Sequence, residues 1–143
     1  MVEKIVMYTD GGSRNNPGPA AVGVYLETLE KKFGHYIGEK TNNEAEYEAV
    51  LFGLSKIKQL VGKDKVKKIT VECRLDSQLV ERQLKHEYKL SQPHIQQLFL
   101  QVWNLMLDFK AVTFHYVPRE QNKVADAMVN EALDEREKQK SLV

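Results

Sequence analysis

The order of strand-like and helical patterns constrains this fold more than any other feature of the sequence. Three strand-like runs come first, with turn residues between them, and helical patterns then alternate with two further strand-like runs. Strands joined by short turns pair antiparallel, whereas strands separated by helices can pair in parallel. The sequence therefore predicts an α/β fold with a mixed sheet covered by helices. The strand-like runs are residues 4–10, 21–30, 31–40, 67–76 and 111–118.

Helical spacing and helix-start residues define four helical segments. The first covers about 43–61, and Asn43 is a possible N-cap. Ser77 can cap a short second helix, Pro93 suits the first turn of a third, and Asn122 can cap a fourth. We expect a single domain over residues 1–136 and a charged C-terminal tail over 137–143, where the last helix fades.

Composition limits the classes of function. A chain of 143 residues with 42% apolar content can bury one core, and its net charge of +1 excludes a polycation that grips nucleic acid by overall charge. The single Cys73 excludes an internal disulfide and a cysteine metal cluster, as is typical of a reducing compartment. With no signal-peptide pattern or membrane-length apolar run, we expect a cytoplasmic monomer with no membrane contact and no obligate protein partner.

Three glutamates, Glu44, Glu46 and Glu48, occupy alternate positions where the first helix begins. The apolar stripe of this helix includes Val50 and Leu54, and one turn back it reaches Glu46. Glu44 and Glu48 fall on a more polar face and are interpreted as ordinary helix-start acids. A core-facing carboxylate is costly unless it is paired or binds a metal. Helical phase alone leaves Glu46 equally compatible with a metal ligand and with an acid that extends out to solvent.

Three aspartates add to the case for a metal site. Asp10 ends the first strand, Asp76 ends the fourth, and Asp126 lies in the first turn of the last helix. Each has an ordinary explanation as a turn former or a helix-start acid. Functional sites of open sheets gather outside the carboxyl ends of strands, so the set predicts one cluster. Four carboxylates favour Mg²⁺, with Mn²⁺ as a substitute, and could hold two ions roughly 3.5–4 Å apart for phosphodiester cleavage.

Four motifs in the same order resemble type 1 ribonuclease H. They are YTDGGSRNNPGPAAVG (8–23), TNNEAEYEA (41–49), LDSQLV (75–80) and VPREQNKVADAMVNEAL (117–133). The resemblance implies a ribonuclease H-like sheet of five strands, the first three antiparallel and the last two parallel to strand one. It also implies a metal-dependent endonuclease that cuts the RNA strand of RNA–DNA hybrids and leaves 5′-phosphate and 3′-hydroxyl ends. The implied catalytic and metal-binding acids are Asp10, Glu46, Asp76 and Asp126.

Substrate contacts are also implied by the resemblance. RNA differs from DNA by its 2′-hydroxyl, which backbone groups and side-chain amides can recognise. In the family pattern Thr41 matches a position that contacts a phosphate of the DNA strand. The implied substrate-binding residues are Gly11, Gly12, Ser13, Asn15, Asn16, Thr41, Asn42, Asn43 and Gln78.

The segment before the last helix departs from the family pattern. Many relatives carry a loop histidine about ten residues before the last aspartate, whereas this chain has Arg119 and Glu120 there. We expect Arg119 to replace the missing group electrostatically, although it could simply pair with Glu120. His115 is interpreted as an ordinary strand residue.

Three further alternatives are a non-catalytic module, a polymerase fragment and a base-stacking platform on the third helix. A non-catalytic hybrid-binding module with the same fold would be expected to have lost at least one of the four acids, and all are present. The starting methionine favours a free-standing enzyme over a polymerase fragment. Trp103 and its apolar neighbours could form a base-stacking platform, but their helical spacing favours core packing.

Overall fold

Five strands form one mixed sheet in a computed structural model that describes residues 3–142. The strand order is β3-β2-β1-β4-β5. β1 pairs antiparallel with β2, which pairs antiparallel with β3, while β4 and β5 extend the sheet in parallel from β1. The predicted fold class and strand directions are confirmed. The strands are β1 (Lys4–Ser13), β2 (Gly18–Leu26), β3 (Lys31–Lys40), β4 (Thr70–Leu75) and β5 (Ala111–Tyr116).

Four helices cover the sheet. α1 packs on β1 and β2 and contacts α3, and together they enclose the main core with β4. α4 lies against β2 and β3 and forms a smaller cluster there. No helix in the described range 3–142 is both long and apolar enough to cross a membrane. The helices are α1 (Asn42–Val61), α2 (Gln78–Leu84), α3 (Pro93–Met106) and α4 (Lys123–Ser141).

Two paired glycines bring α4 onto the sheet. Gly23 of β2 and Gly34 of β3 are register partners. A Cβ at Gly23 would lie 2.0 Å from the Ala125 carbonyl oxygen, and one at Gly34 would lie 2.4 Å from the Met128 carbonyl oxygen. The absence of side chains at this pair thus lets the first turns of α4 approach the strands closely. Gly23 also pairs with Asp10 of β1, so the same approach brings the start of α4 beside that aspartate.

The apolar stripe predicted for α1 is confirmed along most of the helix. Val50, Leu54 and Ile57 are fully buried, and Glu46 is buried as the predicted continuation of the stripe. Leu60, which the same spacing placed in the core, is instead 44% exposed, whereas its neighbour Val61 packs against the core at the end of α1.

The start of α1 differs from the sequence prediction. Thr41, and not Asn43, is the N-cap: its side chain accepts a hydrogen bond from the Glu44 backbone N–H. Glu44 in turn accepts from the Thr41 backbone N–H at 2.9 Å, which completes a capping box. Glu44 is therefore a specific capping residue, whereas Glu48 makes only a 3.9 Å contact with Lys40.

Two elements extend beyond their predicted ends. β1 continues past the predicted end at residue 10 through Gly11, Gly12 and Ser13, because these residues pair with β2. α4 continues as a helix to Ser141, so most of the segment predicted as a tail from 137 onward is helical.

The interpretation of Trp103 as a core residue is wrong. Its side chain is 46% exposed, and Leu100 and Leu107 on the same side of α3 are 55% and 68% exposed. The core contacts of α3 are made by the buried Ile95 and Val102, together with four partly buried residues. These are Leu98, Phe99, Leu105 and Met106, so the predicted core packing holds for some apolar neighbours of Trp103 but not for Trp103 itself.

Candidate active site

Three of the four predicted acids meet in one cluster. One ligand oxygen from each of Asp10, Glu46 and Asp76 lies within 4.8 Å of the other two. Asp126 lines the same cleft, which has a volume of about 410 Å³. The side chains come from β1, the start of α1, the end of β4 and the start of α4. Residues separated by up to 116 positions are thus brought together at one edge of the sheet.

Glu46 is, with Asp10, one of the two buried members of this cluster. It is 7% exposed, and its Oε2 atom has no hydrogen-bond partner among the described residues. A buried carboxylate oxygen without a donor is costly, and a cation would remove that cost. This orphaned oxygen, beside two further carboxylates, fits a divalent metal ion with oxygen ligands. The alternative of an acid extending out to solvent is excluded by the burial of the side chain.

Asn122 holds Asp76 in place, and the sequence prediction missed this role. Its amide nitrogen donates to the Thr9 carbonyl oxygen at 2.9 Å and to Asp76 Oδ2 at 3.3 Å. Asn122 does stand at the N-cap position of α4, but its side chain makes no capping hydrogen bond. It links β1, the end of β4 and the start of α4, and so fixes the relative positions of three acid-bearing elements. The position before the helix signalled a cap, and only tertiary structure shows the inward orientation.

Burial raises the pKa values of Asp10, Glu46 and Asp76, and neighbouring carboxylates add to the rise. Burial, followed by the charges of Asp76 and Asp126, raises the pKa of Asp10 to about 8. Burial and the charges of Asp10 and Asp76 raise the pKa of Glu46 well above its ordinary value. Burial also raises the pKa of Asp76, while the Asn122 hydrogen bond and the positive charge of Arg119 oppose that rise. The site is therefore short of positive charge, as expected for one completed by cations.

Stability of the metal-free protein is expected to fall as the pH rises from about 4 towards 8. Asp10 has a higher pKa in the folded protein than the ordinary 3.8, so folding takes up a proton in this range and the free energy of unfolding decreases. The slope is at most about 1.4 kcal/mol per pH unit for each proton. Urea unfolding in a chelator at several pH values measures this slope.

Asp10→Asn provides the control for that prediction. The variant cannot ionise at this position. The free energies of unfolding of the variant and the wild type should therefore be nearly equal near pH 4, and the variant should become the more stable of the two as the pH rises. Added Mg²⁺ should stabilise the wild type most at pH 8. A difference between wild type and variant that stays constant across this range would contradict the prediction.

The predicted substrate residues fall into two groups. Gly11, Gly12, Ser13 and Asn42 line the cleft with the acids. Asn42 Oδ1 accepts hydrogen bonds from the backbone and hydroxyl of Ser13, and the Asn42 backbone donates to Asn16 Oδ1 at 3.0 Å. The start of α1 and the β1–β2 loop are thereby joined beside the cleft. Asn15 lies in the same loop with a φ of 69°, a left-handed conformation that asparagine tolerates.

Five predicted residues lie outside the wall of the cleft: Asn15 and Asn16 in the β1–β2 loop, and Thr41, Asn43 and Gln78. Thr41 caps α1, Asn43 lines a separate polar groove with Lys89 and Gln92, and Gln78 is an exposed residue at the start of α2. Five residues that the sequence prediction did not include contribute to the wall of the main cleft. They are Arg14, Ser77, Val129, Asn130 and Leu133.

Arg119 lies in the cleft wall, as expected for a residue that acts on the acids. It forms no ion pair within 4.0 Å in the described part of the chain, so the alternative in which it pairs with Glu120 is not observed. His115 is an exposed residue of β5, and its Nε2 atom forms a hydrogen bond with the Thr113 hydroxyl, in agreement with its prediction as a strand residue.

Comparisons with known proteins agree with this geometry. A model of the family described as "Reverse transcriptase-like" matches residues 8–132. The crystal structure of RNase H1 from the halophilic archaeon Halobacterium salinarum superposes with a TM-score of 0.84 at 38% identity, covering 92% of this chain and 98% of that one. The chain belongs to the type 1 ribonuclease H family. The predicted family is confirmed, and membership of it supports the predicted enzyme class.

A second ribonuclease H structure contains nucleic acid. LC11-RNase H1 in complex with an RNA/DNA hybrid superposes on this ribonuclease H chain with a TM-score of 0.85 at 39% identity, covering 92% of this chain and 98% of that one. The curated ribonuclease HI of Halobacterium salinarum is 38% identical over 92% of this chain. The chain spans 65% of the length of that curated relative.

Proposed function

We propose that this protein is an endonuclease that hydrolyses the RNA strand of RNA–DNA hybrids and leaves 5′-phosphate and 3′-hydroxyl ends. The observation that carries the proposal is the cluster of Asp10, Glu46 and Asp76, within 4.8 Å of one another in a cleft that Asp126 also lines. The hybrid bound by LC11-RNase H1 supports the same substrate for this chain.

Divalent cations fit this cluster. Two Mg²⁺ ions, or Mn²⁺ as a substitute, would be held by the four acids and would activate the attacking water and stabilise the leaving oxygen. Glu46 offers a buried oxygen without a hydrogen-bond partner among the described residues, and an oxygen of Asp10 lies within 4.8 Å of ligand oxygens of Glu46 and Asp76. Asn122 keeps Asp76 oriented through the 3.3 Å hydrogen bond, so this ligand does not have to be ordered on binding.

Recognition of the RNA strand is assigned to polar groups beside the acids. The carbonyl oxygens of the Asn16 and Asn42 side chains are already used within the protein, which leaves their amide N–H groups to donate to a ligand. On the other strand, the hydroxyl of Thr41 accepts from the Glu44 backbone N–H and retains its proton for a phosphate oxygen of the DNA. Such donors suit the 2′-hydroxyl and phosphates of a hybrid. Gly11, Gly12, Ser13, Asn15, Asn43 and Gln78 remain proposed contacts.

Cleavage of end-labelled substrates tests this function. The protein is incubated with an RNA–DNA hybrid, a DNA duplex and an RNA duplex, with Mg²⁺, with Mn²⁺ and with chelator. We expect metal-dependent cutting of the RNA strand of the hybrid and products that a 3′-end ligation assay identifies as 3′-hydroxyl ends. Cutting of the DNA strand, or cutting in chelator, would contradict the proposal. Hybrid binding without cutting would favour the alternative of a non-catalytic hybrid-binding module.

Arg119→Ala is expected to lower the turnover number by about tenfold, because a cation in the cleft wall stabilises negative charge on the reacting phosphate. Arg119→Lys keeps the charge and should retain part of the rate. Steady-state cleavage of a labelled hybrid measures turnover, and calorimetric titration with Mg²⁺ measures metal affinity, which should be unchanged. An unchanged turnover number in Arg119→Ala would refute the role of this residue.

The cytoplasmic location and the monomeric state also stay predictions, as does the domain boundary near residue 136. Sedimentation of the purified protein would test the monomer.

A further inference from the structure

The C-terminal half of α4 contacts the loop between β1 and β2. The Arg14 guanidinium, in loop 14–17, donates from Nη1 to Glu137 Oε1 and from Nη2 to Asp134 Oδ1, each at 2.7 Å. Nη2 also lies 3.4 Å from Asn130 Oδ1. Arg14 and Glu137 are 123 positions apart in the sequence. One exposed helix face therefore supplies three acceptors to one side chain of the loop.

The same face of α4 begins at a proposed metal ligand. Asp126, Asn130, Asp134 and Glu137 follow one another at intervals of four, four and three residues, which places them on one side of the helix. Asn130 Nδ2 also donates to the Asp126 carbonyl oxygen at 3.1 Å. A continuous helix thus connects the acid in the cleft with the acceptors of Arg14.

Loop 14–17 is held from the other side by the start of α1. Asn16 Oδ1 accepts from the Asn42 backbone, and Ser13 donates to Asn42 Oδ1. The loop closes tightly, because a Cβ at Gly18 would lie 2.1 Å from the Arg14 carbonyl oxygen. Arg14 is the residue of the loop whose side chain binds α4, so its contacts determine how the loop is placed between the two helices.

We propose that Asp134 and Glu137, acting through Arg14, position loop 14–17 for binding of the hybrid. Arg14 is a positioning residue in this proposal, which rests on the proposed function for its substrate. The individual ion pairs are exposed and contribute little to global stability. Their effect is local, because two carboxylates and one guanidinium restrain a short loop that carries Asn15 and Asn16.

The direction of the change in KM distinguishes this proposal from a purely electrostatic effect of the two acids on hybrid binding. Removing two negative charges beside a polyanion's binding site should strengthen binding and lower KM. The proposal predicts the opposite for Asp134→Asn/Glu137→Gln, because the loop loses its restraint. The matched control is Glu131→Gln/Glu135→Gln, which removes two exposed acids from the same helix that form no ion pair among the described residues.

The experiment measures hydrogen exchange and kinetics on folded variants of the full chain. Amide exchange of loop 14–17 should be faster in Arg14→Ala and in Asp134→Asn/Glu137→Gln than in the wild type or the control. KM for the hybrid should rise between about twofold and fivefold in both variants, and turnover in Asp134→Asn/Glu137→Gln, which leaves the cleft wall unchanged, should stay within about twofold of the wild type. Arg14→Lys should give exchange rates and KM values between those of the wild type and Arg14→Ala, because lysine keeps the charge but cannot donate to two carboxylates in the geometry of arginine.

Several results would overturn the proposal. A lower KM in Asp134→Asn/Glu137→Gln, with a higher KM in Arg14→Ala alone, would mean that Arg14 contacts the substrate directly. Unchanged exchange in both variants would mean that α4 does not restrain the loop. A wild-type protein that cuts no hybrid would overturn the proposed function, and exchange in the free protein would still decide whether α4 holds the loop.

Discussion

Replacing Glu46 by glutamine is expected to lower the rate of hybrid cleavage by at least about a thousandfold. The substitution keeps the shape of a side chain that is only 7% exposed and removes its charge. It also replaces one of three carboxylates whose oxygens lie within 4.8 Å of one another by a neutral amide, which is a weaker ligand for a divalent cation. Single-turnover cleavage of a labelled hybrid in Mg²⁺ measures the loss, and Asp76→Asn should behave in the same way.

Glu48→Gln is the matched control for this experiment. It makes the same chemical change two positions further along α1, at a side chain whose nearest cation, Lys40, is 3.9 Å away. We expect its cleavage rate to stay within about twofold of the wild type. If Glu46→Gln and Glu48→Gln retained similar rates, the carboxylate cluster could not be the catalytic centre.

Stability measurements distinguish lost chemistry from lost folding in Glu46→Gln. Burial and the neighbouring acids raise the pKa of Glu46, so its charged form is unfavourable in the metal-free protein. The neutral glutamine should therefore unfold at the same or a higher urea concentration than the wild type at neutral pH in a chelator. Inactivity combined with undiminished stability would assign the defect to the site itself.

Helical phase was sufficient to single out Glu46 among three nearby glutamates, because the buried stripe of α1 continues through it. Strand ends likewise predicted that Asp10 and Asp76 would meet, since β1 and β4 are adjacent and parallel. The first of these features depends on local periodicity, which leaves a clear pattern in the sequence, whereas the pairing of β1 with β4 is seen only in the structure. The resemblance to ribonuclease H supplied the strand directions.

Tertiary contacts explain what the sequence did not predict. Asn122 has the sequence position of a cap, yet its amide turns inward to Thr9 and Asp76, 113 and 46 positions away. Trp103 has helical spacing typical of a core residue, but other residues of α3 pack on the core. Gly11 and Gly12 have the composition of a turn, whereas pairing with β2 keeps them in a strand. In each case the conformation depends on contacts with distant residues, which the sequence of a single segment does not specify.

Gly11→Ala is expected to reduce the free energy of unfolding by at least about 2 kcal/mol. A Cβ at this position would lie 2.2 Å from the carbonyl carbon and oxygen of Ala45 and 2.5 Å from the Glu46 nitrogen. These are backbone atoms of α1, so relief requires β1 and α1 to move apart. Such a shift would also separate Glu46 from Asp10, and cleavage activity should fall with stability.

Gly12→Ala makes the same change at the adjacent residue and provides the comparison. Its added Cβ would meet only Val129 Cγ1 at 3.6 Å, an ordinary contact, so we expect a change in unfolding free energy within about 1 kcal/mol. Urea unfolding of both variants is the decisive measurement, because both glycines line the cleft and either change could affect substrate binding. Equal unfolding free energies would show that Gly11 is not required for close packing of α1 on β1. A selective loss in Gly11→Ala would mean that this glycine places Glu46 against Asp10, in addition to any contact it makes with the hybrid.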